Sequence, residues 1–214
     1  MPRNLPNLIT GARLALALAL FVLLAAVAYG RSGDPVSELS RHIASSERLL
    51  LNLSLVIFLL AAISDILDGE IARRWNLQTD FGRIVDPFAD KVIVCGVFIQ
   101  LVPLEGSQVS AWMVVLILSR ELLVDGLRGF AESRGVNFGA NMSGKLKMVL
   151  QSGCICWILG TMANARGIVW AETFSFGLLV VTLAVTVLSG LSYVYQARKV
   201  LGSDALAALS GGSK

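Results

Sequence analysis

Five aspartates, Asp65, Asp68, Asp80, Asp86 and Asp90, fall within the 28 residues from Ser64 to Lys91 of a chain that is 55% apolar and only 15% charged. On a helix, Asp65 and Asp68 share a face with Ala72, and Asp86 and Asp90 lie one turn apart on the helix that follows. Two helices that each offer two carboxylates can face one another. Such a group at the edge of apolar sequence is costly unless cations compensate it. Lysine or arginine could do so, but the small residues Gly69, Ala72 and Gly82 among the acids suggest room left for something bulkier. Oxygen-only ligands favour hard ions such as Mg2+ or Mn2+, and four carboxylates balance two divalent ions. Asp80 stands outside this pattern and is expected as a loop or helix-cap residue.

A second polar cluster lies further on, in SRELLVDGLRGFAESRGVNFGANMSGKLKMVLQ. Arg120 sits within an apolar run, a placement that for an ionisable residue points to function, with Glu121 beside it. Lys145 and Lys147 follow Gly144 at the start of the next run. Fixed cations of this kind suit an anionic ligand such as a phosphate, which arginine can meet with two parallel hydrogen bonds. The bland alternatives are lysines that snorkel to an interface and an Arg120 ion pair with Glu121 or Asp125.

The elements that must position these groups are long and apolar. The 214 residues have a mean hydropathy of +0.71, and apolar runs recur near 14 to 29, 49 to 63, 92 to 104, 109 to 124, 146 to 165 and 173 to 197. Several approach the roughly 17 to 25 residues that a spanning helix needs. The expected fold is all-α, an integral membrane protein with six transmembrane helices and a polar active-site cavity facing the cytoplasm. The second span becomes long enough by running on to about Arg73. A soluble bundle would interrupt such runs with charges every few residues.

Ala26-Val27-Ala28 imitates a signal-peptidase site, but Arg13 already lies inside the helical pattern, so the segment is expected to stay as a span. Arg3, Arg13, Arg73, Arg74, Arg83, Lys91, Arg128, Arg134, Lys145, Lys147, Arg198, Lys199 and Lys214 would share one side, assigned to the cytoplasm by the excess of Lys and Arg in short inside loops. The long first loop, with Arg31, Arg41 and Arg48 on the other side, fits that rule least well. It has the pattern of a surface helix: Asp34 as N-cap, Pro35 at the first helical position, and Val36, Leu39, Ile43 and Leu50 at helical spacing. His42, the single histidine, is expected to be solvated there. Cys95, Cys154 and Cys156 are expected as reduced core thiols, since residues two apart on a helix point to different faces. Residues 1–201 are expected to form one six-helix domain and 202–214 a flexible tail.

In full, the acidic stretch reads Asp65-x2-Asp68-Gly69-x2-Ala72-Arg73-x8-Gly82-x3-Asp86-x3-Asp90, which resembles the signature of the CDP-alcohol phosphotransferase family. That resemblance implies a six-helix membrane enzyme, usually a homodimer, that moves a phosphatidyl or related group from a CDP-linked donor to an alcohol and releases CMP. It implies that Asp65, Asp68, Asp86 and Asp90 hold two divalent metal ions, Mg2+ or Mn2+, with Asp90 also the general base, and that Gly69, Ala72, Arg73 and Gly82 shape the cytidine diphosphate pocket. The N-terminal Asn7-x-x-Thr10-x-x-Arg13, the Arg120-Glu121 pair and Gly144-Lys145-x-Lys147 further resemble the bacterial members of that family that make phosphatidylglycerophosphate. Met148 departs from them, since they often carry Thr there. This implies CDP-diacylglycerol as donor, with Asn7 and Thr10 on the donor side. The implied acceptor is sn-glycerol 3-phosphate, its phosphate held by Arg120, Lys145 and Lys147. The expected location is the cell (inner) membrane, with the lipid bilayer as partner and no nucleic acid. Serine, inositol phosphate or another polar alcohol are the alternative acceptors. A divalent-cation transporter is the rival class, although transporter sites usually lie at midplane on broken helices.

Overall fold

In the computed structural model of this chain the described backbone covers residues 5–32, 37–75, 80–133 and 142–210, and the described side chains 11–32, 37–64, 88–133, 144 and 146–198. Among these residues every regular element is helical: α1 (Leu5–Ser32), α2 (Glu38–Ser45), α3 (Glu47–Trp75), α4 (Asp80–Leu101), α5 (Ala111–Ser133), α6 (Met142–Asn164) and α7 (Val169–Ser210). The six long helices correspond to the six apolar runs and the short one to the surface helix of the first loop. Among the described residues four segments are long and apolar enough to cross a membrane: Gly11–Ser32, Glu47–Ser64, Leu146–Asn164 and Val169–Arg198. The second half of α5, with Arg120, Glu121, Asp125 and Arg128, is too charged to join them by composition. α3 runs past Arg73 as expected, and α7 continues to Ser210, through most of the segment expected as a tail.

The long helices close into a ring. α1 packs on α3 and α4, α3 on α6, α6 on α7, α7 on α5, and α5 back on α4, with a further contact between α4 and α6. The enclosed core is built from side chains such as Leu20, Leu24, Leu51, Phe58, Phe98, Ile117, Ile155 and Leu159, each at most 1% exposed. Outward, the ring presents Leu18, Val22, Val56, Leu122, Val149 and Leu188, each at least half exposed. A water-soluble monomer seldom displays so many large apolar side chains. These apolar helices are those of a multi-pass membrane protein. Hydroxyls on buried faces are satisfied within their own helix: Ser54 donates to Leu50 O at 2.8 Å and Thr186 to Thr182 O at 2.7 Å, removing the cost of an unpaired polar group in apolar surroundings.

α1 and α4 approach closely at Gly96, where an added Cβ would lie 2.2 Å from Cζ of the Phe21 ring. Gly96→Leu is therefore expected to lower the thermal unfolding temperature of the detergent-solubilised protein, since overpacking of this kind costs about 1 to 3 kcal/mol. Gly153→Ala, on α6 with nothing within 4 Å of its added Cβ, is the control and should not destabilise. Equal stability of Gly96→Leu and wild type would contradict the close approach.

The ends of the ring carry two polar layers. At one end Arg31 at the close of α1 pairs with Glu47 at the start of α3 and donates to Glu105 O at 2.6 Å, while Arg166 reaches Glu47 at 3.3 Å and Arg48 donates to Asn164 at 3.1 Å. Cations in the first loop are thus tied to neighbours at that end. The surface helix starts later than expected: Ser37, with extended backbone, is the N-cap of α2, and Glu38 places a carboxylate in its positive first turn. Asp34 is therefore not the N-cap of this helix, and Asp34 and Pro35 themselves lie outside the described residues. His42 is exposed on α2. Cys95, Cys154 and Cys156 are free thiols, the first two buried. Where α6 turns into α7, Gly167 takes φ +81° and its N–H donates to Glu172 at 2.8 Å, a conformation that L side chains rarely adopt.

Candidate active site

The opposite polar layer forms where the first part of α1, the start of α4, the second half of α5, the start of α6 and the last buried turns of α7 meet. The antiparallel ring makes these five segments neighbours although they are distant in sequence. A cavity of about 270 Å³ opens there, lined by Asp90, Lys91 and Cys95 of α4, Arg120, Glu121, Asp125 and Arg128 of α5, Gly144, Lys147, Met148 and Gln151 of α6, and Tyr193 of α7. Asp90 of the acidic signature and Arg120 and Lys147 of the second cluster, predicted from separate stretches of sequence, share this one cavity.

Asp90 is the expected metal ligand whose side chain is described. Its carboxylate accepts a hydrogen bond from Arg13 Nη1 at 3.0 Å, with the arginine 3% and the aspartate 29% exposed. This pair joins the N-terminal motif to the end of the signature. Asp65, Asp68, Gly69, Ala72 and Arg73 lie on the helical backbone of α3, Gly82 and Asp86 on α4, Asn7 and Thr10 on α1, and Lys145 on α6. The side chains of these ten lie outside the described residues. Asp80 opens α4 and its side chain is likewise outside them.

Arg120 is 8% exposed. Its Nη2 donates to Ser189 Oγ at 2.6 Å, its Nη1 lies 3.3 Å from both Glu121 carboxylate oxygens, and its guanidinium stands 5.7 Å from the centroid of the Tyr193 ring. Adjacent helical residues seldom face one another, yet the reach of arginine lets this pair meet. Glu121 also receives the Lys147 ammonium, so one carboxylate from α5 bridges to α6. Lys91 of α4 pairs with Asp125 of α5. Arg128 donates to Tyr193 Oη at 3.2 Å and lies 5.9 Å from the same ring centroid. The ion pair considered for Arg120 is thus present with Glu121, and it coexists with placement in the cavity.

Cations so arranged in a partly buried site bind anions more strongly than they would in water, and Asp90 at the cavity wall could take a proton from a hydroxyl bound there. Not anticipated from the sequence were Glu121 as a shared anchor, Ser189 and Tyr193 of α7, Arg128 and the Lys91–Asp125 pair. A signal for α7 existed: Thr182, Thr186, Ser189 and Tyr193 recur at helical spacing through an apolar run, and all four are buried.

The family model described as CDP-alcohol phosphatidyltransferase matches residues 3–192. A relative from Bacillus subtilis (strain 168) is 40% identical over 147 residues, covering 67% of this chain and 70% of its own. Another from Rickettsia felis is 33% identical over 197 residues, covering 92% and 97%, and one from Rickettsia typhi is 35% identical over 191 residues, covering 89% and 95%. All three are named CDP-diacylglycerol--glycerol-3-phosphate 3-phosphatidyltransferase. With the acidic signature on α3 and α4, the cation-rich cavity beside it and a family match over nearly the whole length, the chain belongs to the CDP-alcohol phosphatidyltransferase family.

Proposed function

We propose that this protein transfers the phosphatidyl group of CDP-diacylglycerol to sn-glycerol 3-phosphate, giving phosphatidylglycerophosphate and CMP. The observation that carries the proposal is the shared cavity, in which a carboxylate of the donor signature, Asp90, stands with Arg120 and Lys147. An acceptor with a phosphate at one end and a hydroxyl at the other needs cations and a base on opposite walls of one small space. The relatives named for this reaction support the same substrates. On this reading Arg120 and Lys147, with Lys145 beside them in sequence, hold the acceptor phosphate, and Asp90 takes the proton of the attacking hydroxyl. Arg13 then keeps the Asp90 carboxylate in one orientation. Asn7, Thr10, Gly69, Ala72, Arg73 and Gly82 form the donor side, where small residues let the backbone approach the nucleotide.

The donor set fits hard divalent ions, because it consists of carboxylate oxygens and Asp90 is partly exposed toward the cavity. Asp65, Asp68, Asp86 and Asp90 would hold two, Mg2+ or Mn2+, whose chemistry is to neutralise the donor pyrophosphate and stabilise charge on the leaving CMP. The same reading has α4 and α5 complete six spans in the cell (inner) membrane with the cavity toward the cytoplasm. Residues 1–201 are then the catalytic unit, 202–214 an appendage, and the working form a homodimer in the lipid bilayer.

The test is CMP release from CDP-diacylglycerol by the purified full-length protein with one candidate alcohol at a time. Release is expected with sn-glycerol 3-phosphate and not with serine or inositol phosphate. Use of one of the latter while glycerol 3-phosphate is ignored would retain the family and overturn the acceptor. Divalent-ion flux into sealed vesicles without any CDP-lipid would favour a transporter.

A further inference from the structure

Four cations line the cavity among the described residues, and three of them already have carboxylate partners. Lys91 is paired with Asp125, and both Arg120 and Lys147 converge on Glu121. Arg128 differs: its contacts are the hydroxyl and the ring of Tyr193. The three lining carboxylates are Asp90, Glu121 and Asp125, and Asp90 is itself faced by Arg13. With Arg13 counted beside the four lining cations, the described groups carry five positive and three negative charges, a surplus that an incoming phosphate dianion would balance.

Tyr193 gathers this surplus. Its ring is 3% exposed, and the guanidiniums of Arg120 and Arg128 stand 5.7 Å and 5.9 Å from its centroid. Arg120, Val124 and Arg128 recur every four residues, so both arginines project from one face of α5 toward the same tyrosine. The ring attracts each cation, but two like charges gathered on one ring repel each other, and an anion between them turns that repulsion into attraction on both sides. Arg120 has little freedom to serve a ligand alone, because Ser189 and Glu121 hold it and a Cβ on Gly190 would already lie 3.0 Å from its Cγ. Arg128 keeps the planar fork of donors that meets phosphate with two hydrogen bonds.

We infer that Arg128, held over the Tyr193 ring, is a further phosphate-binding arm of the acceptor site and sets the affinity for the phosphorylated alcohol. The inference rests on the acceptor assignment of the cavity given above.

The experiment measures CMP release by the full-length protein in mixed micelles, varying sn-glycerol 3-phosphate at saturating CDP-diacylglycerol and then the reverse. Loss of one charge-assisted contact corresponds to about tenfold to a hundredfold in affinity. Arg128→Gln is expected to raise the acceptor KM by about that factor while the donor KM stays within about twofold. Arg128→Lys should recover part of the loss, and Tyr193→Phe, which keeps the ring and removes the hydroxyl, should raise the acceptor KM by a smaller factor. A second measurement does not depend on turnover: sn-glycerol 3-phosphate should raise the thermal unfolding temperature of wild type and do so less for Arg128→Gln. If Arg120→Ala and Lys147→Ala raise the acceptor KM but Arg128→Gln does not, the arm is refuted and the acceptor assignment stands. If none of the three changes it, the acceptor assignment falls and the arm with it. Equal loss toward donor and acceptor in Arg128→Gln would also overturn the inference.

Discussion

Asp68→Asn and Asp86→Asn are each expected to abolish CMP release, leaving less than about a thousandth of wild-type turnover, while the protein still extracts and unfolds as wild type does. The amide matches the carboxylate in size but lacks the charge, so packing should be unchanged while the proposed ligand for a hard divalent ion is lost. The magnitude follows from the chemistry assigned to these ions. Electrostatic stabilisation of charge developing in the transition state is commonly the largest single contribution to catalysis, and removing even one neutral donor to such charge costs about 10²- to 10³-fold. Turnover by both variants at saturating Mg2+ would remove the two-metal proposal. A fall in unfolding temperature matching the fall in activity would instead make these carboxylates part of an ion-pair network between two helices.

Asp90→Asn should behave differently, because Asp90 lines the cavity that also holds Arg120 and Lys147. If it takes the proton of the acceptor hydroxyl, the turnover rate should fall by about 10²- to 10⁴-fold, the usual contribution of a positioned base. Donor affinity should fall much less. The Arg13 contact at 3.0 Å supplies the control for a merely structural role, since an asparagine oxygen can still accept from the guanidinium and the α1–α4 junction should hold. The decisive comparison is between turnover and donor binding in one preparation. Equal losses in the two would assign Asp90 to the metal site alone, and a variant with near-normal turnover would leave the reaction without its proposed base.

Local chemistry made a large part of this protein legible before any fold was known. Hydropathy alone marks the six long helices, because a helix passing through apolar surroundings must satisfy its backbone internally and coat itself with apolar side chains. Aspartates at spacings of three and four mark shared helix faces at Asp65 and Asp68 and at Asp86 and Asp90, and the run of Asp, Gly, Ala and Arg between them is specific enough to name a family. Helix ends were less legible. Ser37 rather than Asp34 stands at the N-cap position of α2, since both residue types offer a plausible start, and Ser40 and Ile43 then pack beside Gly30 of α1.

The partners of the charged groups were beyond the sequence. Arg13 and Asp90 are 77 residues apart, Arg120 and Ser189 69, and Lys147 and Glu121 26, and no period along the chain relates such positions. They meet because the six long helices close into a ring that brings the second half of α5 and the start of α6 against the late turns of α7. That closure decides that Glu121 is shared by two cations, that Tyr193 draws two guanidiniums together and that Arg128 faces the cavity on an aromatic ring instead of a carboxylate. Sequence determines which charges a helix face carries. Only tertiary packing determines which of them face each other, because electrostatic pairing depends on distance through space and on the water excluded between the groups.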